Sequence, residues 1–307
     1  MHIKKIFVTG GNGFIGRHLI KHLLKKKYSV VSFDNSYRWD SKILLDTIKN
    51  LNISNFKSIE GDISDKGLVD GLIKTCDIVV HLAGISQVIT SISNPSLTFE
   101  YNVNGLSNII DACVRNNKKI IFASSREVYG NAEYFPVDIN HRLKPENIYG
   151  ESKVLGEKMI KSTSDNSNLD YTILRLSNVY GQGDKGRVVP ILIEKSINNE
   201  PITIYGDYKI LDLVHISDVI NAFMACIEKQ ESSKQVFNIG SGKKITLHEL
   251  VKLILEIVGS KSNVINSSGR LGEVDYFLAD ITETERIINW KPKKQILKLK
   301  NIVKSYF

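Results

Sequence analysis

The segment Thr9-Gly-Gly-Asn-Gly-Phe-Ile-Gly16 constrains this chain more than any other. It follows the apolar run IFVT (6–9). It leads into a stretch where Ile15, Leu19 and Leu23 recur at helical spacing while His18, Lys21, His22 and Lys25 point away. A glycine-rich turn between a strand and a helix commits the chain to a β-turn-α start. Glycine permits the tight turn and a close backbone approach, and the free N–H groups and positive dipole end of the helix suit a pyrophosphate. Gly10, Gly13 and Gly16 are the candidate loop, with Phe14 and Ile15 packing beneath it.

The pattern repeats down the chain. VVSF (30–33), FKSI (56–59), DIVVHLA (77–83) and KIIFAS (119–124) are short apolar strands separated by segments long enough for helical crossovers. The expected fold is α/β, a doubly wound parallel Rossmann sheet with a smaller, discontinuous α/β substrate lobe, and the ligand crevice lies at the carboxyl ends of the strands. YTILRL (171–176) and QVFNIG (235–240) read as further strands of the large sheet. Residues 1–176, with returns near 208–240, form the expected dinucleotide-binding domain, and 177–307 form most of the substrate lobe.

Asp34 ends the second strand, eighteen residues beyond Gly16. A carboxylate there accepts both hydroxyls of an adenosine ribose and repels a 2′-phosphate, so NAD is expected rather than NADP. The formal charge of +8 invites a nucleic-acid reading, but the lysines are scattered and form no basic stripe interleaved with aromatics. No nucleic-acid partner is expected. Three distant cysteines, Cys76, Cys113 and Cys226, argue against a disulfide framework. No apolar run approaches spanning length and no signal peptide is evident, so a cytoplasmic protein without membrane partners is expected.

Tyr149-Gly-Glu-Ser-Lys153 opens a helical pattern continued by Leu155, Met159 and Ile160, and the spacing of four puts phenol and ammonium on one face. A nearby ammonium and the positive nicotinamide ring both favour the phenolate, which makes Tyr149 a candidate base for a hydroxyl proton as hydride leaves the same carbon. A second Tyr-x-x-x-Lys, Tyr205 and Lys209, spans the turn signal Gly206-Asp207 and is a decoy. Ser124 and Ser125 end KIIFASS, where a hydroxyl can hold the reacting oxygen. Each serine alone is equally well a cap or turn residue. His18 and His22 have ligand spacing but lie on a polar helix face without an acidic partner in sequence, so exposure and no metal are expected. His215 is expected to be a packed, hydrogen-bonded histidine.

In order along the chain, TGGNGFIG, FDN (33–35), GDI (61–63), HLAG (81–84), NVNG (102–105), SSREVYG (124–130), YGESK (149–153), LRLSNVYG (174–181) and LVHISDV (213–219) resemble the extended short-chain dehydrogenases, and within them the nucleotide-sugar 4-epimerases. The resemblance runs nearly end to end. It implies that Asp34 and Asn35 hold the adenosine ribose and that Asp62 and Ile63 flank the adenine. It places Leu82, Ala83, Gly84 and Asn102 along the cofactor and lets Lys153 reach the nicotinamide ribose. Ser125, four residues before Tyr129, is then the catalytic serine beside Tyr149 and Lys153, and Asn178 and Arg270 hold a substrate diphosphate. The implied activity is C4 epimerisation of a nucleotide-diphosphate sugar such as UDP-glucose or UDP-galactose, by a homodimer formed through helices around 96–116 and 150–162.

Two departures qualify the implication. Leu211-Asp212-Leu213 stands where the family usually shows Arg-Asp-Phe, which removes one phosphate-binding arginine. Arg126-Glu127 follows the catalytic serine where many epimerases have small residues. Glu127 keeps a 4,6-dehydratase or uronate decarboxylase open as alternatives, a non-catalytic NAD-binding protein is a third, and Arg126 could meet either a uronate or simply a neighbouring acid.

Overall fold

Strands made of consecutive apolar residues need cover on both faces. The computed structural model, which describes residues 4–51, 53–206, 208–270, 272–293, 295–304 and 306, supplies it. Strands β1 (Lys5–Thr9), β2 (Ser29–Asp34), β3 (Phe56–Glu60), β4 (Ile78–His81), β5 (Lys119–Ser125) and β6 (Tyr171–Leu176) follow the sequence runs closely. The smaller lobe adds β7 (Asn178–Tyr180), β8 (Ile202–Tyr205) and β9 (Ile210–His215) before β10 (Gln235–Ile239) returns to the large sheet. β11 (Lys244–Thr246) and β12 (Val264–Ser267) complete the set.

The large sheet has the order β10-β6-β5-β4-β1-β2-β3 with every pairing parallel. Alternating side chains feed two cores. Ile6 and Val8 pack with Leu19, Leu23, Val219 and Phe223 on one face, and Phe7 packs with Phe33, Ile109, Phe122 and Ile173 on the other. The chain winds outward in one direction from β1 and in the other from β4, so the crevice opens between the carboxyl ends of these two neighbours. In the smaller lobe, β9 lies between β7 and β11, β8 pairs with β12, and Tyr180, Ile193, Leu250 and Ile254 fill a separate core.

One stretch differs from the expected regular helix. Between the helices Pro95–Phe99 and Leu106–Arg115 the backbone adopts a π-helical turn over Glu100–Gly105, the kind of local widening that re-aims a side chain. Here it re-aims Asn102. Among the described residues no helix is long and apolar enough to cross a membrane.

Candidate active site

A cavity of about 790 Å³ runs from the glycine loop between the two lobes. At its first end the loop is shaped by what it touches. Gly10 has φ +71°, and a Cβ on it would stand 2.7 Å from the Ala83 nitrogen; a Cβ on Gly16 would stand 2.2 Å from the Gly10 carbonyl oxygen. Neither position tolerates a side chain without moving backbone. The helix Phe14–Lys25 begins at Gly13 with no capping side chain and no acidic residue in its first turn. Its opening amides therefore face the cavity ready for an anion. Thr9 Oγ1 accepts from Leu82 N and Ala83 N, both at 3.2 Å, and so ties the end of β4 to the loop.

Asp34 lies where the sequence placed it. Asn12 N donates to one carboxylate oxygen at 3.0 Å and Ser36 N to the other at 2.9 Å, leaving each oxygen a lone pair toward the cavity. Burial raises its pKa, and the two amide bonds oppose that rise. This end fits NAD: a loop without side chains, uncapped helix amides, and an acid spaced for a ribose.

Gly10, Gly13, Phe14, Ile15, Gly16, Asn35, Ile63, Leu82, Ala83 and Gly84 all line the cavity, whereas Asp62 and Asn102 do not. Asp62 accepts from Asn35 Nδ2 at 2.9 Å and braces that residue from behind. Asn102 is buried on the π turn. It accepts from Ile85 N at 2.8 Å and donates to Ile85 O and Ser152 Oγ, so it fastens the loop after β4 to the helix Ile148–Asp165.

Midway along, Tyr149 and Lys153 stand one turn apart on that helix, whose start is capped by Asn147 accepting from Gly150 N at 2.8 Å. Both side chains are buried in the cavity wall. Lys153 Nζ lies 5.8 Å from the Tyr149 ring centroid and donates to Ala123 O at 2.9 Å. The two serines separate cleanly. Ser124 Oγ donates to Glu157 Oε1 at 2.6 Å, inside a buried network with Arg175, while Ser125 hydrogen-bonds the Tyr149 phenol and caps the short turn Arg126–Val128.

The protein's own groups alone do not favour the Tyr149 phenolate. Burial dominates and pushes the phenol up to about 12, although the Ser125 hydrogen bond and the charges of Arg187 and Arg126 pull the other way. Burial also brings the Lys153 ammonium down to about 8. The sequence showed the neighbours but not the depth at which they sit.

At the far end, Asn178 and Arg270 line the same cavity. Arg270 stacks on Tyr205, its guanidinium carbon 3.6 Å from the ring centroid, and its Nη1 lies 3.5 Å from Glu273. Asn178 Oδ1 is buried without a hydrogen-bond partner among the described residues. The decoy pair lies here too. Tyr205 ends β8 and Lys209 precedes β9, so no helix unites them; Asp207 of the intervening turn lies outside the described residues. Both nonetheless line the cavity, with Lys209 ion-paired to Glu273, which sequence spacing gave no reason to expect. Arg38, Arg187 and Lys195 were likewise missed, because each comes from a separate segment without a motif.

His18 and His22 are half-buried rather than exposed. The loop after β7 covers the helix, and the His18 ring bonds the Gln182 carbonyl at 3.0 Å. His215 caps the helix Ile216–Glu228 and packs edge-on against Tyr180 at 5.3 Å. Burial holds its imidazole down at about 4.

A doubly wound sheet, a glycine loop at its switch point and a tyrosine–lysine pair facing the same cavity define an extended short-chain dehydrogenase/reductase whose cofactor is NAD. The chain belongs to the NAD dependent epimerase/dehydratase family, whose model matches residues 6–240. A Methanocaldococcus jannaschii protein provisionally named a UDP-glucose 4-epimerase is 36% identical, over 94% of this chain and 93% of its own. The crystal structure of a UDP-glucose 4-epimerase from Thermotoga maritima, with UDP-glucose, superposes with TM-score 0.89 at 30% identity, covering 98% of each chain. A UDP-N-acetyl-alpha-D-glucosaminuronate decarboxylase from Bacillus cytotoxicus is 30% identical over 86% of this chain and 83% of its own.

Proposed function

We propose that this protein epimerises a nucleotide-diphosphate sugar, in the first instance a UDP-hexose such as UDP-glucose or UDP-galactose, at C4 through a transient 4-keto sugar. The observation that carries the reading is that the proton-transfer set stands alone. Ser125, Tyr149 and Lys153 share the cavity, whereas the acid beside them, Glu127, has both oxygens engaged, one by Arg126 Nη2 at 2.9 Å and one by Asn147 Nδ2 at 2.9 Å. A dehydratase or decarboxylase needs a second acid or base next to the first. Glu127 is held as a structural partner instead.

When bound along the glycine loop, NAD would supply a reversible hydride acceptor for C4. Gly10, Gly13 and Gly16 would admit its pyrophosphate, Asp34 would take the ribose hydroxyls, and Lys153 would reach the second ribose. Tyr149 accepts the C4 hydroxyl proton and gives it back. Ser125 holds the reacting oxygen beside the phenol, and the cations near Tyr149 lower the cost of its phenolate. At the other end, Arg270 and Asn178 receive the diphosphate. The position of the missing arginine is taken by Leu211, so more of that grip rests on Arg270. Assembly as a homodimer through the helices Pro95–Arg115 and Ile148–Asp165 is part of the same proposal.

The test is to incubate purified protein and NAD with UDP-, GDP-, CDP- and dTDP-sugars and resolve the products by NMR. A C4 epimer without net change in NAD supports the reading. A 4-keto-6-deoxy sugar or a pentose would replace it by dehydration or decarboxylation, and no product from any sugar would leave a binding protein.

A further inference from the structure

We infer that the loop 181–187 is a strap that governs the exchange of NAD, latched across the cofactor end of the cavity by Arg17 and His18 of the glycine-loop helix. The strap needs NAD as the cofactor and is indifferent to the reaction that the sugar undergoes.

The loop joins β7 to the helix Val188–Ile197 and so belongs to the smaller lobe, whereas its anchors belong to the other domain. Arg17 Nη2 donates to Gly183 O, and the His18 ring donates from Nε2 to the Gln182 carbonyl at 3.0 Å. On the other side Gln87 Nε2 donates to Gly186 O at 3.5 Å. Arg17 is itself held in place: it is 3% exposed, and its guanidinium carbon stands 4.8 Å from the Trp39 ring centre and 5.5 Å from that of Phe14. Asp184 is buried and braces the loop from inside, accepting from Arg187 Nη1 at 2.9 Å and from Lys185 N at 3.0 Å. Asp184, Gly186 and Arg187 line the cavity together with Phe14 and Gln87. A dinucleotide reaching from Asp34 to Tyr149 therefore lies beneath the strap.

The strap is built to open. Gly183 and Gly186 have φ +80° and +70°, so a left-handed glycine stands on each side of Asp184 and Lys185, and Gln182, Gly183, Lys185 and Gly186 are exposed. A loop held by a few polar bonds, with little apolar surface buried, belongs to the least stable part of a fold. Its electrostatics supply the bias. Arg17, Arg38 and Arg187 come from three segments and gather about one carboxylate. Desolvation works against the charge of Arg17 and Arg38, Asp184 relieves it in part, and Arg187 adds repulsion to both. A pyrophosphate at the amides of residues 14–16 offsets that repulsion, so NAD favours the closed strap over the open one by a differential interaction. On the epimerase reading the cofactor is restored in every cycle and has no need to leave, so slow exchange is compatible with turnover.

The experiment is stopped-flow exchange of the cofactor at pH 8 with no sugar present, in wild type, Arg17→Met and His18→Ala. Energy transfer from tryptophan to NADH reports uptake, with Trp39 in the cavity wall as a donor, and a chase of NADH-loaded protein with excess NAD reports release. Arg17→Met is expected to release NADH about tenfold faster, the scale of one lost hydrogen bond from a charged donor, and to take it up about threefold faster. His18→Ala removes the second anchor without removing a charge, because burial lowers the imidazole pKa, and it is expected to raise both rates about threefold. This half-buried surface position keeps the test open if Arg17→Met folds poorly. A cation that merely attracts the pyrophosphate would slow uptake when lost. Faster release from Arg17→Met with unchanged or slower uptake therefore makes Arg17 a ligand contact and overturns the strap, as does release unchanged in both variants. Neither rate depends on the fate of a sugar, so failed epimerisation leaves the strap standing, and unchanged exchange leaves the C4 reading standing.

Discussion

The cofactor wall and the sugar wall of the cavity are made from different materials. Along the first, the decisive groups are backbone: glycines that leave room, uncapped amides at Phe14–Gly16, and an aspartate held by two N–H groups. Along the second they are side chains delivered by separate segments, Arg126 and Glu127 after β5, Tyr149 on a helix, Asn178 on β7, and Arg270 stacked on Tyr205. A wall of backbone fixes one ligand and resists change, because altering it means moving the chain. A wall of side chains can be altered one residue at a time while the sheet stays as it is, and specificity among sugars is expected to reside there.

The most severe test of that division is Tyr149→Phe. Removing the phenolic oxygen is expected to lower kcat by about a thousandfold, the scale of general acid–base catalysis. NAD affinity should stay within a few-fold, because the cofactor wall is untouched. Turnover retained within tenfold would show that another group accepts the proton. In the other direction, Asp34→Ser acts on the cofactor wall alone. It removes the acceptor shared by Asn12 N and Ser36 N, and the preference for NAD over NADP is expected to fall by about a hundredfold, equivalent to about 2.7 kcal/mol. Fluorescence titration with both cofactors reads this directly, and an unchanged ratio would remove Asp34 from cofactor selection. Smaller again is Arg270→Ala, where UDP-sugar affinity is expected to drop about tenfold with kcat little changed, since the side chain is partly exposed and is assigned to the diphosphate. A fall in kcat with no change in KM would place Arg270 at the reacting centre instead.

The same contrast explains what could be read from sequence. β1 to β6 and β10 were legible because apolar runs, glycine turns and helical periodicity are local, and the cofactor residues were legible because the loop and Asp34 belong to one βαβ unit. The sugar wall was legible only where a short motif crossed it, as at Ser125 and Tyr149. Nothing in the spacing of Tyr205 and Lys209 shows that β8 and β9 bring them beside Arg270, and nothing at Arg126 shows which side of its guanidinium Glu127 takes. Asn102 was found through its motif, yet its task depends on a π-helical turn that sequence periodicity does not reveal. The proximity of Tyr149 and Lys153 is written in the spacing of four, but their burial is not.

Burial at Lys153 gives an expected effect on stability rather than on activity, and one with a definite direction. Its ammonium is drawn down to about 8, with burial outweighing the favourable charge of Glu157. An unfolded lysine keeps its proton to about 10.4. Below pH 8 both states are protonated, so the lysine's contribution is constant and unfavourable. Between about 8 and 10 the unfolded chain binds more protons than the folded one, so the stability contributed by this residue rises with pH, by at most about 1.4 kcal/mol per unit. Other groups titrate in that range, and Lys153→Met removes them from the comparison by difference. Thermal midpoints measured at intervals from pH 7 to 10 without added NAD should therefore show wild type gaining on Lys153→Met by a few degrees above pH 8. A wild type that instead loses ground as the pH rises would mean that Glu157 holds the ammonium more strongly than burial expels it, and the lysine would then stay charged beside Tyr149 through the whole neutral range.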